Sequence, residues 1–271
     1  MKRRHDWDIN PDWLVFATGI VPVFNTMIQA ITNPGDKIII QQPVYHPFGH
    51  AINDNGRELS DNSLIYADGK YSIDFDDLEK RSSDPKAKLL IFCNPHNPVG
   101  RVWTQEELRR VAKICYDNNV VIISDEIHSD LMLFGSKHTP MAALDEKLAQ
   151  NIITCYSPSK TFNIAGLRGS CIVIPNERLR KLLSGQFKKN RSIQQNVFAL
   201  PAYVAAYSDC EDYLEQLIEY LELNVGYLDS YLKENMPKIK LVYPEATYLM
   251  WLDCAELGLD AEGVADFFIN K

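Results

Sequence analysis

The feature that most constrains this chain is a succession of short, almost wholly apolar runs at 37–40, 89–93, 120–124, 152–155 and 169–174, separated by segments with helical periodicity. A strand with one face in water alternates apolar and polar residues, whereas a run without alternation belongs to a strand buried on both faces. Such strands need helices above and below them, so the pattern predicts an α/β fold. The segment 104–117 predicts one covering helix, with Thr104 as N-cap and Glu107 three positions on, the spacing of a capping box. The turn Asn33-Pro34-Gly35-Asp36 closes a helix that begins near Pro22 and leads into the first apolar run.

After Glu177 the character changes. Arg178, Arg180, Lys181, Lys188, Lys189 and Arg191 read as the solvated face of a helix. Over 210–235, Leu214, Leu217, Ile218, Leu221, Val225 and Leu228 recur at helical spacing and predict a long helix of the kind that joins domains. Beyond it, 238–243 and 248–252 predict the first strands of a smaller unit and 260–269 a final helix, which divides the chain into a large domain, 1–228, and the start of a small one, 229–271.

Composition narrows the function. With 28 basic and 36 acidic side chains the net charge is −8, and the pI is about 5.3. A nucleic-acid surface needs enough Lys and Arg to neutralise phosphates, so none is expected. The N-terminus starts basic but continues into acids, Asn10 and Pro11 rather than an apolar stretch, and no run is long and apolar enough to span a bilayer. The closest of the six cysteines, Cys155 and Cys171, are 16 positions apart, which excludes a C-x-x-C site. The cysteines read as buried reduced thiols of a cytoplasmic protein.

Four local features could carry chemistry. Asn94-Pro95-His96-Asn97-Pro98-Val99-Gly100 follows one apolar strand, and Ser124-Asp125-Glu126-Ile127-His128 ends another, where ligands gather in open α/β sheets. Ser157-Pro158-Ser159-Lys160-Thr161-Phe162, with Gly166-Leu167-Arg168-Gly169 beyond it, offers hydroxyls and cations to a phosphate. Thr18-Gly19-Ile20-Val21-Pro22 opens a helix whose first N–H groups can take an anion. Taken singly, each is also an ordinary turn or a solvated lysine. Ser157-x-x-Lys160 matches the nucleophile motif of penicillin-recognising serine enzymes, but only Ser129-Asp130-Leu131 and Lys160-Thr161-Phe162 stand in for their other two motifs. His46 and His50 lack a third ligand and are interrupted by Pro47 and Gly49, so no metal site is expected.

Together, a lysine able to form a Schiff base, an acid for a pyridinium nitrogen and a phosphate cup are what pyridoxal 5'-phosphate requires of a protein. On these residues the whole chain resembles the fold-type I pyridoxal-phosphate enzymes of the class I/II aminotransferase superfamily. Within it, the chain is similar to the cystathionine β-lyase, or C–S lyase, branch. The strings Tyr45-His46-Pro47-Phe48, Asp125-Glu126-Ile127-His128-Ser129-Asp130 and Ser157-Pro158-Ser159-Lys160-Thr161-Phe162-Asn163 carry that narrower likeness.

The resemblance implies a three-layer α/β/α large domain with a mostly parallel central sheet, followed by part of a small α+β domain. It makes Lys160 the catalytic, cofactor-bearing lysine, Asp125 the partner of the pyridine nitrogen, Asn97 the donor to the 3-hydroxyl oxygen and Tyr45 the ring stacked on the pyridine. It assigns the phosphate to Ser157, Ser159 and Arg168, with N–H groups of Ile20 and Val21 from the Gly19 loop. His128 stands where aminotransferases of the superfamily usually carry a tyrosine that reaches the cofactor. The implied activity is cleavage of cystathionine or a related S-substituted cysteine, a small-molecule amino-acid substrate, by a cytoplasmic homodimer serving methionine biosynthesis. An aminotransferase is the alternative within the superfamily. The family's N-terminal segment and its downstream carboxylate-binding arginine are expected to lie outside the chain, which leaves a truncated, catalytically weak or regulatory homologue as a further alternative.

Overall fold

The apolar runs become the inner strands of one seven-stranded sheet in the computed structural model, which describes residues 1–193 and 196–270. The strands are β1 (Leu14–Ala17), β2 (Lys37–Ile40), β3 (Glu58–Asp61), β4 (Ile65–Ala67), β5 (Lys70–Ser72), β6 (Ala87–Cys93), β7 (Val121–Asp125), β8 (Ile152–Tyr156), β9 (Ser170–Val173), β10 (Lys240–Val242) and β11 (Trp251–Asp253). The large sheet has the order β1-β9-β8-β7-β6-β2-β3. Only β9 runs against its neighbours, β1 and β8, so six strands send their carboxyl ends to one edge.

The unbroken apolar character of the inner strands follows from two cores. Successive side chains point to opposite faces. Leu90, Phe92, Ile122 and Ile152 join a core with Trp103 and the helix Gln105–Asp117. Leu89, Ile91, Ile123 and Ile153 join a second core with the helices Ile20–Ile31, Pro47–Asp54 and Glu177–Lys189. Each fully buried Leu, Ile or Phe contributes roughly 1.5–3 kcal/mol by leaving water, so both faces must stay covered. The helix at 105–117 starts as its sequence predicts: Glu107 N–H donates to Thr104 Oγ1 at 3.2 Å, and Thr104 N–H to Glu107 Oε2 at 2.7 Å. Helix Glu177–Lys189 buries Leu183 and Phe187 and leaves Arg178, Lys181, Lys188 and Lys189 exposed.

Six strands differ from the sequence pattern. Strand β1 and the edge strand β3 form on polar or short segments, and β4 and β5 make a separate hairpin. The strands expected at 238–243 and 248–252 shorten to β10 and β11, because the chain between them folds back onto the large sheet's loops. Thr247 N–H donates to Leu131 O at 2.8 Å, and Glu245 N–H to Gly100 O at 2.8 Å. The Glu245 carboxylate also accepts from Arg101 Nη1 at 2.6 Å. The long helix Glu211–Asn235 buries Leu214, Leu221, Val225 and Leu232, the first three in a cluster with Leu131, Leu133 and Phe162.

Gly100 is the tight point of that junction. Its φ is +71°, and a Cβ there would lie 2.8 Å from Pro244 Cβ. Gly100→Ala therefore combines a left-handed backbone with a clash against a rigid ring. It is expected to cost about 2–4 kcal/mol in chemical denaturation; a loss under about 0.5 kcal/mol would show that the 244–247 segment is not seated there. All six cysteines are free. Among the described residues no helix is long and apolar enough to cross a membrane.

Candidate active site

The carboxyl ends of β6, β7 and β8 open onto a cavity of about 620 Å³. β6 supplies Cys93 and, from the loop beyond it, Asn97; β7 supplies Asp125, with Ile127 and His128 after it; the turn after β8 supplies Ser159 and Lys160. Gly19, Ile20 and Val21 reach the cavity from the start of helix Ile20–Ile31, Tyr45 from the loop after β2, and Arg168 from the turn before β9. Ten of the eleven residues picked out in the sequence thus meet at one site. A larger cavity of about 970 Å³ lies between the N-terminal residues and the segment around Asp130 and His138 and holds none of them.

Ser157 is the exception. It is buried outside this wall. Its hydroxyl donates to Gly169 O at 2.9 Å and accepts from Ser159 N–H at 3.2 Å. Ser157 therefore shapes the turn that presents Ser159 and Lys160, and is not among the residues that line this cavity. Other wall residues, Thr18, His46, Tyr248 and Leu249, were not anticipated. Thr18 and His46 adjoin Gly19 and Tyr45 in the motifs, but Tyr248 arrives through the long-range docking of 244–247 and has no local signal.

Four polar side chains on this wall are uncommitted. Among the described residues the Lys160 ammonium and the Arg168 guanidinium make no ion pair or hydrogen bond, and neither do the Asn97 amide and the Tyr45 hydroxyl. The Asn97 backbone is fixed instead: its N–H donates to Cys93 Sγ at 3.4 Å, and its carbonyl accepts from Tyr45 N–H at 3.1 Å. Gly19, with φ +69°, begins the helix without a side-chain cap, leaving its first N–H groups for an anion. Lys160, Asn97 and Tyr45 are half-buried and Arg168 is exposed, so their polar ends are open to a ligand entering the cavity.

Electrostatics sharpen this. Asp125, the last residue of β7, is 4% exposed, and Ile127 N–H is its carboxylate's hydrogen-bond donor, at 3.3 Å. Burial pushes Asp125 up to about 7; Ile127 N–H and the Lys160 charge work against the rise, and the Glu126 charge adds to it. Burial also lowers His128 to about 4, with the Lys160 charge acting the same way. His128 is thus neutral near pH 7, packed edge-on to Tyr248 with centroids 5.4 Å apart. An acid seeking a proton to share, an unpaired lysine, an aromatic ring, an amide and an anion cup form a donor set that fits pyridoxal 5'-phosphate.

Arg168 is exposed and without side-chain partners, so replacing it tests the anion cup with little risk to the fold. Arg168→Gln is expected to weaken binding of pyridoxal phosphate about 10- to 100-fold, the value of one charge-assisted contact. Titration of the cofactor-free protein by absorbance measures this, and an unchanged affinity would remove Arg168 from the cup.

The family profile described as "Aminotransferase class I and II" matches residues 1–268. Cystathionine beta-lyase PatB of Bacillus subtilis (strain 168) is 46% identical over 263 residues, 97% of this chain and 68% of its own length. Protein MalY of Escherichia coli (strain K12) is 30% identical over 269 residues, 99% of this chain and 68% of its own. The crystal structure of cystalysin from Treponema denticola, which contains a pyridoxal 5'-phosphate cofactor, superposes with a TM-score of 0.98 at 39% identity, covering 100% of this chain and 69% of that one. With its mixed sheet, flanking helices and strand-end cavity, the chain belongs to the class I and II aminotransferase family.

Proposed function

We propose that the protein is a pyridoxal-phosphate-dependent C–S β-lyase that cleaves cystathionine or a related S-substituted cysteine to a thiol, pyruvate and ammonia. The observation that carries this is the pairing of an uncommitted Lys160 with the buried Asp125 in one cavity that also holds an anion cup. The names of the similar lyases support the substrate class. The cofactor, when bound, supplies an electron sink for the charge left on an amino acid's Cα when its proton is removed.

The chain's own residues do the rest. Lys160 Nζ would anchor the cofactor and, when free, would be the base that takes the Cα proton. Asp125, short of hydrogen bonds and buried, would hold the proton of the ring nitrogen. Arg168, Ser159 and the N–H groups of Ile20 and Val21 would hold the phosphate. Tyr45 and Asn97 would hold the ring and its 3-hydroxyl group. His128, being neutral and wedged against Tyr248, adds no charge of its own beside Lys160. The same reading extends to a cytoplasmic homodimer serving methionine biosynthesis, with 229–271 opening a small domain.

The test is incubation with cystathionine and pyridoxal phosphate, with and without a keto acid. Pyruvate released equally in both supports the lyase. Amino transfer that requires the keto acid, without pyruvate, would replace it with an aminotransferase.

A further inference from the structure

Directly after Asp125, on the far side from the cavity, lies a buried carboxylate that the proposed chemistry leaves unused. Glu126 is 0% exposed. Both of its oxygens are fully engaged. Oε1 accepts from Ser124 Oγ at 2.8 Å and from Met141 N–H at 3.1 Å; Oε2 accepts from His138 Nε2 at 2.9 Å and from the Tyr156 hydroxyl. These donors come from β7, from the segment 138–141 and from the end of β8, so Glu126 ties together the two strands that present Asp125 and Lys160. Its backbone joins the same clasp, Glu126 N–H donating to Cys155 O at 3.0 Å and Asn94 N–H to Asp125 O at 2.9 Å.

Burial alone would drive a proton onto Glu126, but the His138 charge and the hydrogen bonds from His138, Tyr156 and Met141 outweigh it and hold the carboxyl below its ordinary range. An acceptor-only carboxylate suits four donors, whereas a protonated acid would set its own O–H against one of them. The remaining charged and titratable groups around it are Asp125 itself; the Cys155 thiol, which burial first and then the Asp125 and Glu126 charges keep protonated; His5, whose ring lies 5.1 Å from His138 and 6.4 Å from Tyr156; and, beyond His5, Asp130 with Arg4. Of the basic side chains around it, His138 is the one that touches Glu126. An ionised carboxylate, hydrogen-bonded to His138, therefore sits one residue from the acid assigned to the ring nitrogen.

We propose that Glu126 is a positioning residue for Asp125, fixing the turn that aims it and, through its own buried charge, tightening Asp125's hold on the proton shared with the cofactor's ring nitrogen. The inference rests on reading the cavity as a pyridoxal-phosphate site. It requires the Glu126 charge, not merely its shape. Ser124→Ala, which removes one donor and keeps the charge, separates the two.

The experiment follows the ring nitrogen of ¹⁵N-labelled pyridoxal phosphate by NMR in the holoenzyme as pH is raised. In Glu126→Gln the ring nitrogen is expected to lose its proton at a pH about one unit lower than in the wild type, a tenfold weaker hold, with kcat reduced about tenfold and KM little changed. Ser124→Ala is expected to titrate like the wild type. A ring nitrogen that titrates identically in Glu126→Gln, or a shift as large in Ser124→Ala, overturns the proposal. Should Glu126→Gln not fold, the ¹³C carboxyl shift of Glu126 in the wild-type holoenzyme decides: an ionised carboxylate from pH 6 to 9 is expected, and a protonated acid overturns it. A wild-type protein that shows no bound-cofactor signal at all overturns the reading of the cavity, and this inference with it.

Discussion

Lys160→Ala is expected to lower kcat for cystathionine cleavage by about 10³-fold or more, because one substitution removes both the anchor and the base. Lys160 follows the turn fixed by Ser157 and has no partner among the described residues, so its loss breaks no structural contact. Stability should change by less than about 1 kcal/mol, as for a surface lysine. A small primary amine added to Lys160→Ala is expected to restore part of the rate by taking the Cα proton in its place, while leaving Asp125→Asn unaffected. Steady-state assays of pyruvate with and without amine check this. Retention of more than a tenth of the wild-type kcat would show that another group is the base.

Asp125→Asn should separate stability from activity. The carboxyl at 125 is raised to about 7 in the folded protein, chiefly by burial. In the unfolded chain it ionises near 4. Below about pH 4 it is protonated in both states and carries no penalty. Between about 4 and 7 the folded state holds the proton that the unfolded chain releases, so stability falls as pH rises; above 7 the full penalty is present. Asparagine has no proton to lose. The cofactor-free Asp125→Asn protein is therefore expected to gain on the wild type by roughly 4 kcal/mol between pH 4 and 8, three units at about 1.4 kcal/mol each. Urea denaturation at both pH values measures the gain.

The same substitution is expected to reduce kcat by about 10²- to 10⁴-fold, since an amide cannot hold the ring-nitrogen proton as a carboxylate does. Such a trade, stability gained and function lost, is what a buried and underpaired functional charge entails. An equal stability difference at pH 4 and 8 would mean that Asp125 is not perturbed by its burial.

Much of this was legible in the sequence because the relevant signals are local. Ile38 to Ile40, Leu89 to Cys93 and Ile152 to Cys155 are apolar on both faces, and that pattern has few readings other than a covered inner strand. The strand ends then place Asp125, Asn97 and Lys160 on one edge without any knowledge of the turns between them. Elements that depend on neighbours are not legible in this way. Strand β3, Glu-Leu-Ser-Asp, has no pattern of its own and exists because β2 offers it an open edge. β1 likewise forms against β9. The hairpin β4–β5 did carry a readable signal, Asp68-Gly69 with φ of +50° and +77°, which is the dipeptide favoured in two-residue hairpins.

The site shows the same division. Ser157 is a hydroxyl two residues from Ser159, and spacing cannot tell how they divide: Ser159 lines the cavity, while Ser157 donates to the Gly169 carbonyl. Tyr248 lies 120 positions from His128 (248 − 128) yet packs against its ring, a contact created by the seating of 244–247 on Gly100 and Leu131. Glu126 reads in sequence as one more acid beside Asp125, and only its four donors reveal a buried anion.

The account turns on Lys160 carrying the cofactor in the cavity at the sheet's carboxyl edge. The most direct measurement is to load the protein with pyridoxal phosphate, reduce with borohydride, digest, and map the cofactor's mass onto the peptides. The cofactor is predicted on the peptide containing Lys160, with one equivalent per chain. Attachment spread over exposed lysines such as Lys181 and Lys188, or no attachment, would contradict it.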